Sequence, residues 1–299
     1  MASLNSWIKA ARLRTLPLAM ASITMGGFVA STHKTFNLKA VLMAGLTSLL
    51  LQILSNFAND YGDFSKGTDD KNRLGPKRTV QSGEVTAREM KLAMLTFSLL
   101  SLLSGLIMLF YYVQLPMTET LLFIALGIAA IVAAIKYTTG KNPYGYAGLG
   151  DFFVFIFFGL VGVLGTNFLA TQAWKWSVLL PAIAMGMLST GMLNLNNIRD
   201  YTNDKNKGKR TLAVKLGVEG AIIYHAALTS IPFLALLVYN LVTKAAWPAY
   251  VYLLLLPLFL IDLNKIRQLK NTAALDPYLK KLALKTLLLT LVYGIGIQL

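Results

Sequence analysis

The stretch Leu92-Ala-Met-Leu-Thr-Phe-Ser-Leu-Leu-Ser-Leu-Leu-Ser-Gly-Leu-Ile-Met-Leu-Phe-Tyr-Tyr-Val113 carries no charged residue from end to end. At about 1.5 Å per residue, a helix of that length crosses the roughly 30 Å hydrocarbon core of a bilayer. Membrane β-strands are shorter, about 10 residues, and alternate apolar with polar side chains. Neither this run nor Val251–Leu263 alternates in that way. Comparable apolar runs recur at about 16–32, 39–58, 91–113, 119–136, 150–171, 177–197, 219–242, 247–263 and 281–298. The expected fold class is all-α, a polytopic membrane helical bundle of nine transmembrane helices.

Composition points the same way. The chain is 56% hydrophobic and only 14% charged, with a mean hydropathy of +0.58, which excludes an ordinary soluble domain. Nine spans with the N-terminus cytoplasmic leave only Lys34, Lys39, Lys175 and Lys244, out of 28 Lys and Arg, on the outer side. Positive loops stay in the cytoplasm, so this orientation is expected over its inverse. The net charge of +15 reads as that bias, together with attraction to anionic headgroups and substrates. The basic residues are dispersed through loops without a nucleic-acid-binding motif, so no nucleic acid is expected as a partner. With no cysteine there is no disulfide, haem thioether or thiolate metal site. Lys9, Arg12 and Arg14 lead into an uninterrupted span with no small-residue cleavage site, so a removable signal is not expected. No flexible linker divides the chain, and residues 1–299 are expected to form a single integral-membrane domain.

Acids are scarce, 13 in 299 residues, yet six fall in two short windows. The first reads Asn56-Phe-Ala-Asn59-Asp60-Tyr61-Gly62-Asp63 and continues to Asp69-Asp70; the second reads Asn196-Asn197-Ile-Arg199-Asp200-Tyr201-Thr-Asn203-Asp204. Each closes an apolar span and opens a long inner loop. Asn56, Asn59, Asp60 and Asp63 lie at i, i+3, i+4 and i+7, one face if the helix continues through them. Asn196, Asn197, Asp200 and Asp204 repeat the logic at the end of the sixth span. A solvated helix end explains one such acid; two clusters on the same membrane side favour a cation site, since acids at a membrane edge are costly. Asp60, Asp63, Asp200 and Asp204 are the candidate ligands for Mg²⁺, which takes oxygen ligands and commonly pairs one or two carboxylates with substrate phosphates. Basic side chains follow each cluster, and Arg78, Lys209 and Arg210 are candidates for the remaining negative charge of a metal-bridged diphosphate.

A third segment, Tyr137 to Asp151, holds Lys141, Pro143, Tyr144 and Tyr146 among several glycines, a shaped loop with phenolic donors. The aromatic run Phe152, Phe153, Phe155, Phe157 and Phe158 is either packed span or a π-rich wall for an apolar or aromatic substrate. His225 stands alone in an apolar span and is expected to be structural. Trp174, Trp176 and Trp247 read as outer-interface anchors.

Together these motifs resemble the UbiA-type intramembrane prenyltransferases. The resemblance runs from Arg12-Leu-Arg14-Thr-Leu-Pro17 to the last span. It is carried by Asn59-Asp60-Tyr-Gly-Asp63 through Asp69, Arg73-Leu-Gly-Pro76, Gln81-Ser-Gly83, Pro143-Tyr-Gly-Tyr-Ala-Gly-Leu-Gly-Asp151, Phe157-Phe-Gly159, and Asn196-Asn-Ile-Arg-Asp200 with Asp204, Lys209, Arg210 and Thr211. Within that family the Tyr-Gly-Tyr loop is similar to the branch that acts on 1,4-dihydroxy-2-naphthoate in menaquinone synthesis. The first motif departs from the tighter spacing of much of the superfamily, which leaves open whether Asp69 or Asp70 reaches a metal.

The resemblance implies helices around a central cavity in a bacterial cytoplasmic (inner) membrane, with the active site facing the cytoplasm. It implies Mg²⁺ as cofactor, and polyprenyl diphosphate and 1,4-dihydroxy-2-naphthoate as substrates inside the lipid bilayer. The prenyl group passes to the naphthoate with loss of CO₂ and diphosphate, giving demethylmenaquinone. Asp60, Asp63, Asp200, Asp204 and Lys209 would be catalytic. Asn56, Asn59, Arg14, Asp69, Arg78, Lys141, Tyr144, Tyr146, Asn196, Asn197 and Arg210 would bind substrate. The alternatives are another aromatic acceptor, such as 4-hydroxybenzoate or homogentisate, or a cation-coupled transporter, which would place its acids nearer the bilayer midplane.

Overall fold

A computed structural model describes residues 2–68, 74–269 and 271–299. Among these every regular element is helical. The chain opens with α1 (Leu4–Ala11), whose first turn is capped by the Ser3 side chain, and turns at Arg12, left-handed at φ 49°, into α2 (Leu16–Ser31). There follow α3 (Leu38–Ser65), α4 (Ala87–Val113), α5 (Met117–Lys136), α6 (Gly150–Thr171) and α7 (Trp176–Arg199). A short α8 (Tyr201–Asn206) leads to α9 (Leu212–Thr243), α10 (Trp247–Gln268) and α11 (Asp276–Gly296).

Eight of these helical segments, α1 and α2 counting as one, are long and apolar enough to cross a membrane. The ninth expected span falls on α11, which has 21 residues but carries Lys280, Lys281 and Lys285 and is less apolar than the others. The surface agrees with a multi-pass membrane protein. On α4, Leu92, Leu95, Leu99, Leu103, Ile107 and Phe110 are all exposed, at the spacing of one helical face. So large an apolar surface is intolerable in water and natural in lipid. Trp176 and Trp247 are 90% and 78% exposed and begin α7 and α10, at the ends of the bundle away from the acidic motifs.

Two glycines decide how the helices meet. Gly159 of α6 lies against α7 so closely that a Cβ would come 2.6 Å from the Ala182 carbonyl and 2.7 Å from Gly186 Cα. Lipid offers no hydrophobic drive between helices, so contacts of this kind, made by small residues, hold the bundle. Gly217, at φ 72°, breaks the direction of α9 just after the loop from the second acidic motif. The Gly159→Val variant is expected to be destabilised by about 1–3 kcal/mol through overpacking. Gly105→Ala, where nothing lies within 4 Å of the added carbon, is expected to be neutral or mildly stabilising. Thermal unfolding in detergent separates the two, and equal melting would refute the packing role of Gly159.

Candidate active site

The first acidic window is helical throughout, because α3 runs past the expected end of the span to Ser65. Asn56, Asn59, Asp60 and Asp63 therefore share one helix face, and all four line a cavity of about 1010 Å³. The second window is built differently. α7 stops at Arg199, Asp200 sits off helical geometry at φ −91° and ψ 9°, and the chain resumes as α8. Asn196, Asn197, Asp200 and Asp204 nevertheless line the same cavity, so the two windows face one space. Arg14, Arg78, Tyr144, Tyr146 and Lys209 also reach it. Lys141 and Arg210 do not: both are exposed, and they enter the site region only through backbone, with Lys66 donating to the Lys141 carbonyl and the Arg210 N–H donating to the Tyr146 carbonyl. Asp69 and Asp70 lie outside the described residues.

Each carboxylate is held in its own way. Asp60 Oδ2 accepts from the Thr79 N–H at 3.1 Å and the Thr79 hydroxyl at 2.7 Å, while Oδ1 is buried without a partner among the described residues. Asp63 Oδ1 accepts from Tyr146 at 2.7 Å, Thr68 at 3.2 Å and Lys209 at 3.2 Å, and Arg78 Nη2 stands 3.6 Å from Oδ2. Lys209 also lies 3.4 Å from Asp204 and over the Tyr146 ring. Asp200 takes a side-on pair from Arg199, Nε at 2.9 Å and Nη2 at 2.7 Å. Asn56 is turned away from the acids, donating to the Ala11 carbonyl and Thr15, so it anchors the start of α2.

These four carboxylates are between 1% and 8% exposed, and buried anions are costly unless offset. Asp204 records the strain: burial, with Asp200 and Asp63 adding to it against Lys209, pushes its carboxyl up to about 6. A divalent cation relieves it. Among the described residues no three acidic or histidine side chains converge closely enough to cage a metal alone. Oxygen donors from four buried carboxylates, one of them an Asp60 oxygen buried without a partner among the described residues, fit Mg²⁺ that completes its shell with ligand phosphate and water.

The rest of the cavity is mostly apolar, with scattered polar side chains such as Ser22, Thr47, Ser101 and Thr166. Along α3 its wall extends from Asp63 to Ala44, about 28 Å at helical rise, and ends among Phe123, Ile23 and Leu169. Of the α6 aromatic run, Phe153, Phe157 and Phe158 face it, whereas Phe152 is exposed and Phe155 packs on Gly186. The Tyr144 ring lies tilted against Phe153 with ring centres 4.2 Å apart, and its hydroxyl donates to the Ala133 carbonyl, with burial holding its phenol well above the usual value. Thr68 and Asn203, which lie within the two motifs, and Thr79 complete the polar end; Thr79 carries no sequence signal, since nothing sets it apart from other loop hydroxyls. His225 stands apart in a small void with Asp262 and Lys285.

Known proteins match both the sequence and the shape. The UbiA prenyltransferase family profile covers residues 19–292. A protein of Haemophilus influenzae named 1,4-dihydroxy-2-naphthoate octaprenyltransferase is 40% identical over 98% of this chain and 96% of its own length. Its namesake in Escherichia coli K12 is 39% identical over 98% and 95%. The apo structure of a UbiA homologue from Aeropyrum pernix K1 superposes with a TM-score of 0.66 at 16% identity, covering 94% of this chain and 96% of that one. A UbiA homologue from Archaeoglobus fulgidus, bound to DMAPP and Mg²⁺, gives 0.61 at 17% identity over 97% and 99%.

Thr79→Val is expected to destabilise the protein by about 1.5–3 kcal/mol, the scale of a lost hydrogen bond to a charged group, whereas Thr79→Ser stays near the parent. Thermal unfolding of both variants without added metal is the check. Identical melting would show that Thr79 does not hold Asp60.

Proposed function

The chain belongs to the UbiA prenyltransferase family, and we propose that it transfers a polyprenyl group from polyprenyl diphosphate to 1,4-dihydroxy-2-naphthoate. One observation carries this reading: a single cavity joins an acid-and-base polar end to a long apolar bore. That is the shape of a molecule with a charged diphosphate head and a hydrocarbon tail. The two relatives near 40% identity, matched over almost their whole length, favour the naphthoate acceptor over other aromatic acids.

Asp60, Asp63, Asp200 and Asp204 would hold Mg²⁺ against the diphosphate. Bound Mg²⁺ supplies Lewis-acid neutralisation of the charge that grows on the leaving group. Lys209 and Arg78, beside Asp63, take up the charge that remains on the diphosphate oxygens. As the bond from the prenyl carbon to oxygen breaks, the bore keeps water from the cationic carbon, and Phe153 and Phe157 present π faces to it. The electron-rich naphthoate ring forms the new carbon–carbon bond at the carbon bearing the carboxylate, which leaves as CO₂. No electrons are exchanged with an outside acceptor, so the product emerges in its quinol form. Arg14, at the cavity wall, is a candidate partner for the acceptor. We further propose a single integral-membrane unit of nine spans, in the bacterial inner membrane, with the polar end toward the cytoplasm, as the distribution of Lys and Arg favours.

Asp60→Asn and Asp200→Asn are each expected to lower turnover by about 100-fold or more while membrane insertion persists, as for other lost transition-state stabilisers. Chelation with EDTA is expected to abolish activity, and Mg²⁺ to restore it. Mass spectrometry of products formed from dihydroxynaphthoate and mixed polyprenyl diphosphates is the direct test. Absence of a prenylated, decarboxylated product, with a competing aromatic acid converted instead, would redirect the acceptor assignment.

A further inference from the structure

Among the described residues Arg199 is the bulkiest side chain with no solvent exposure, and it lies behind the cavity wall rather than in it. Its planar fork is almost fully occupied. Nε and Nη2 engage Asp200, Nη2 also donates to Asn196 Oδ1 at 2.8 Å, and Nη1 donates to Asp276 Oδ1 at 2.6 Å. Asp276 opens α11, and its other oxygen stands 3.4 Å from Nη1 of Arg14, a cavity residue. The Thr272 hydroxyl donates to the Arg199 carbonyl, which ties the same segment down a second time. Gly75 presses on the guanidinium from the first loop, where a Cβ would approach Nη2 to 3.0 Å.

This arrangement bears on Asp200. A side-on guanidinium uses one lone pair on each carboxylate oxygen and leaves the others free. A cation approaching them meets the positive charge of Arg199 directly behind. In a buried setting that repulsion is poorly screened. Asp276 supplies the opposing charge on the far side of Arg199 and fixes the plane of its fork.

We propose that Asp276 is a positioning residue for the second acidic motif. By cancelling the charge of Arg199 and holding its orientation, it leaves Asp200 an anionic face toward the cavity for a divalent cation. The role presupposes the cation site proposed for Asp60, Asp63, Asp200 and Asp204.

The test is calorimetric titration of the purified full-length protein with Mg²⁺ in the presence of inorganic pyrophosphate, alongside the Mg²⁺ dependence of turnover. Asp276→Asn is expected to raise the dissociation constant about tenfold, the scale for loss of an outer partner of a metal ligand. The half-saturating Mg²⁺ concentration should rise in parallel, and kcat should recover at saturating Mg²⁺. Asp276→Glu, which keeps the charge, should bind nearly as the parent does. The double variant Asp276→Asn with Arg14→Gln restores the charge balance and should regain part of the loss, whereas a merely structural role predicts further loss. Unchanged Mg²⁺ affinity in Asp276→Asn overturns the proposal while leaving the cation site intact. A parent protein that binds no Mg²⁺ with pyrophosphate overturns the site itself. If Asp276→Asn does not accumulate as folded protein, Asp276→Glu decides: near-parent affinity supports the electrostatic role, and a tenfold loss overturns it.

Discussion

Asp63 is the point at which the polar end of the cavity is tied together. Its carboxylate receives Tyr146 from the loop before α6, Lys209 from the loop before α9, and Thr68 and Arg78 from the segment after α3. Three separate connections thus converge on one buried anion one turn beyond Asp60. A carboxylate so deep would be prohibitive if any of these partners were missing. The converse also holds: apart from Val80 and Val85, which pack among Leu54, Phe57 and Met90, the long loops dock chiefly through these polar contacts. Charge organises the mouth of the cavity, whereas packing organises the bore.

The two regimes meet within a short distance. Below the acids, Phe153 and Phe157 lie nearly parallel with ring centres 6.4 Å apart, and Tyr144 bridges from them to the polar loop. A diphosphate head and a hydrocarbon tail therefore find opposite environments within one continuous space. In so apolar a setting each hydrogen bond to the head counts for more than it would in water. The same setting makes the balance of fixed charges decisive, and five of the chain's 13 acids line that cavity.

Much of the architecture was legible in the sequence, because hydrocarbon thickness sets the length of an uncharged run and little else competes with it. The one-face spacing of Asn56, Asn59, Asp60 and Asp63 was legible for a similar reason, since a regular helix carries its period beyond the membrane edge. The second window was less so. Its spacing is helical, yet the chain breaks at Asp200, where Arg199 folds back on the adjacent carboxylate. Lys141 and Arg210 had the chemistry of anion binders but sit where their loops turn outward. Thr79 and Asp276 could not have been singled out. Thr79 contacts Asp60 across 19 positions and Asp276 contacts Arg199 across 77, and no local pattern encodes such meetings.

The middle of α6, Phe155–Gly165, is wound as a π-helix. A stretch closed by i→i+5 bonds is a helix that has absorbed extra residues without changing course. Deleting one residue there would return a turn to ordinary winding, leaving the helix on either side in register but re-aiming the side chains within that turn. The close-packed Gly159 and the aromatic face would then no longer point where they do. Across descendants of this sequence, length changes in that stretch should consequently be purged far more strictly than exchanges of one apolar side chain for another.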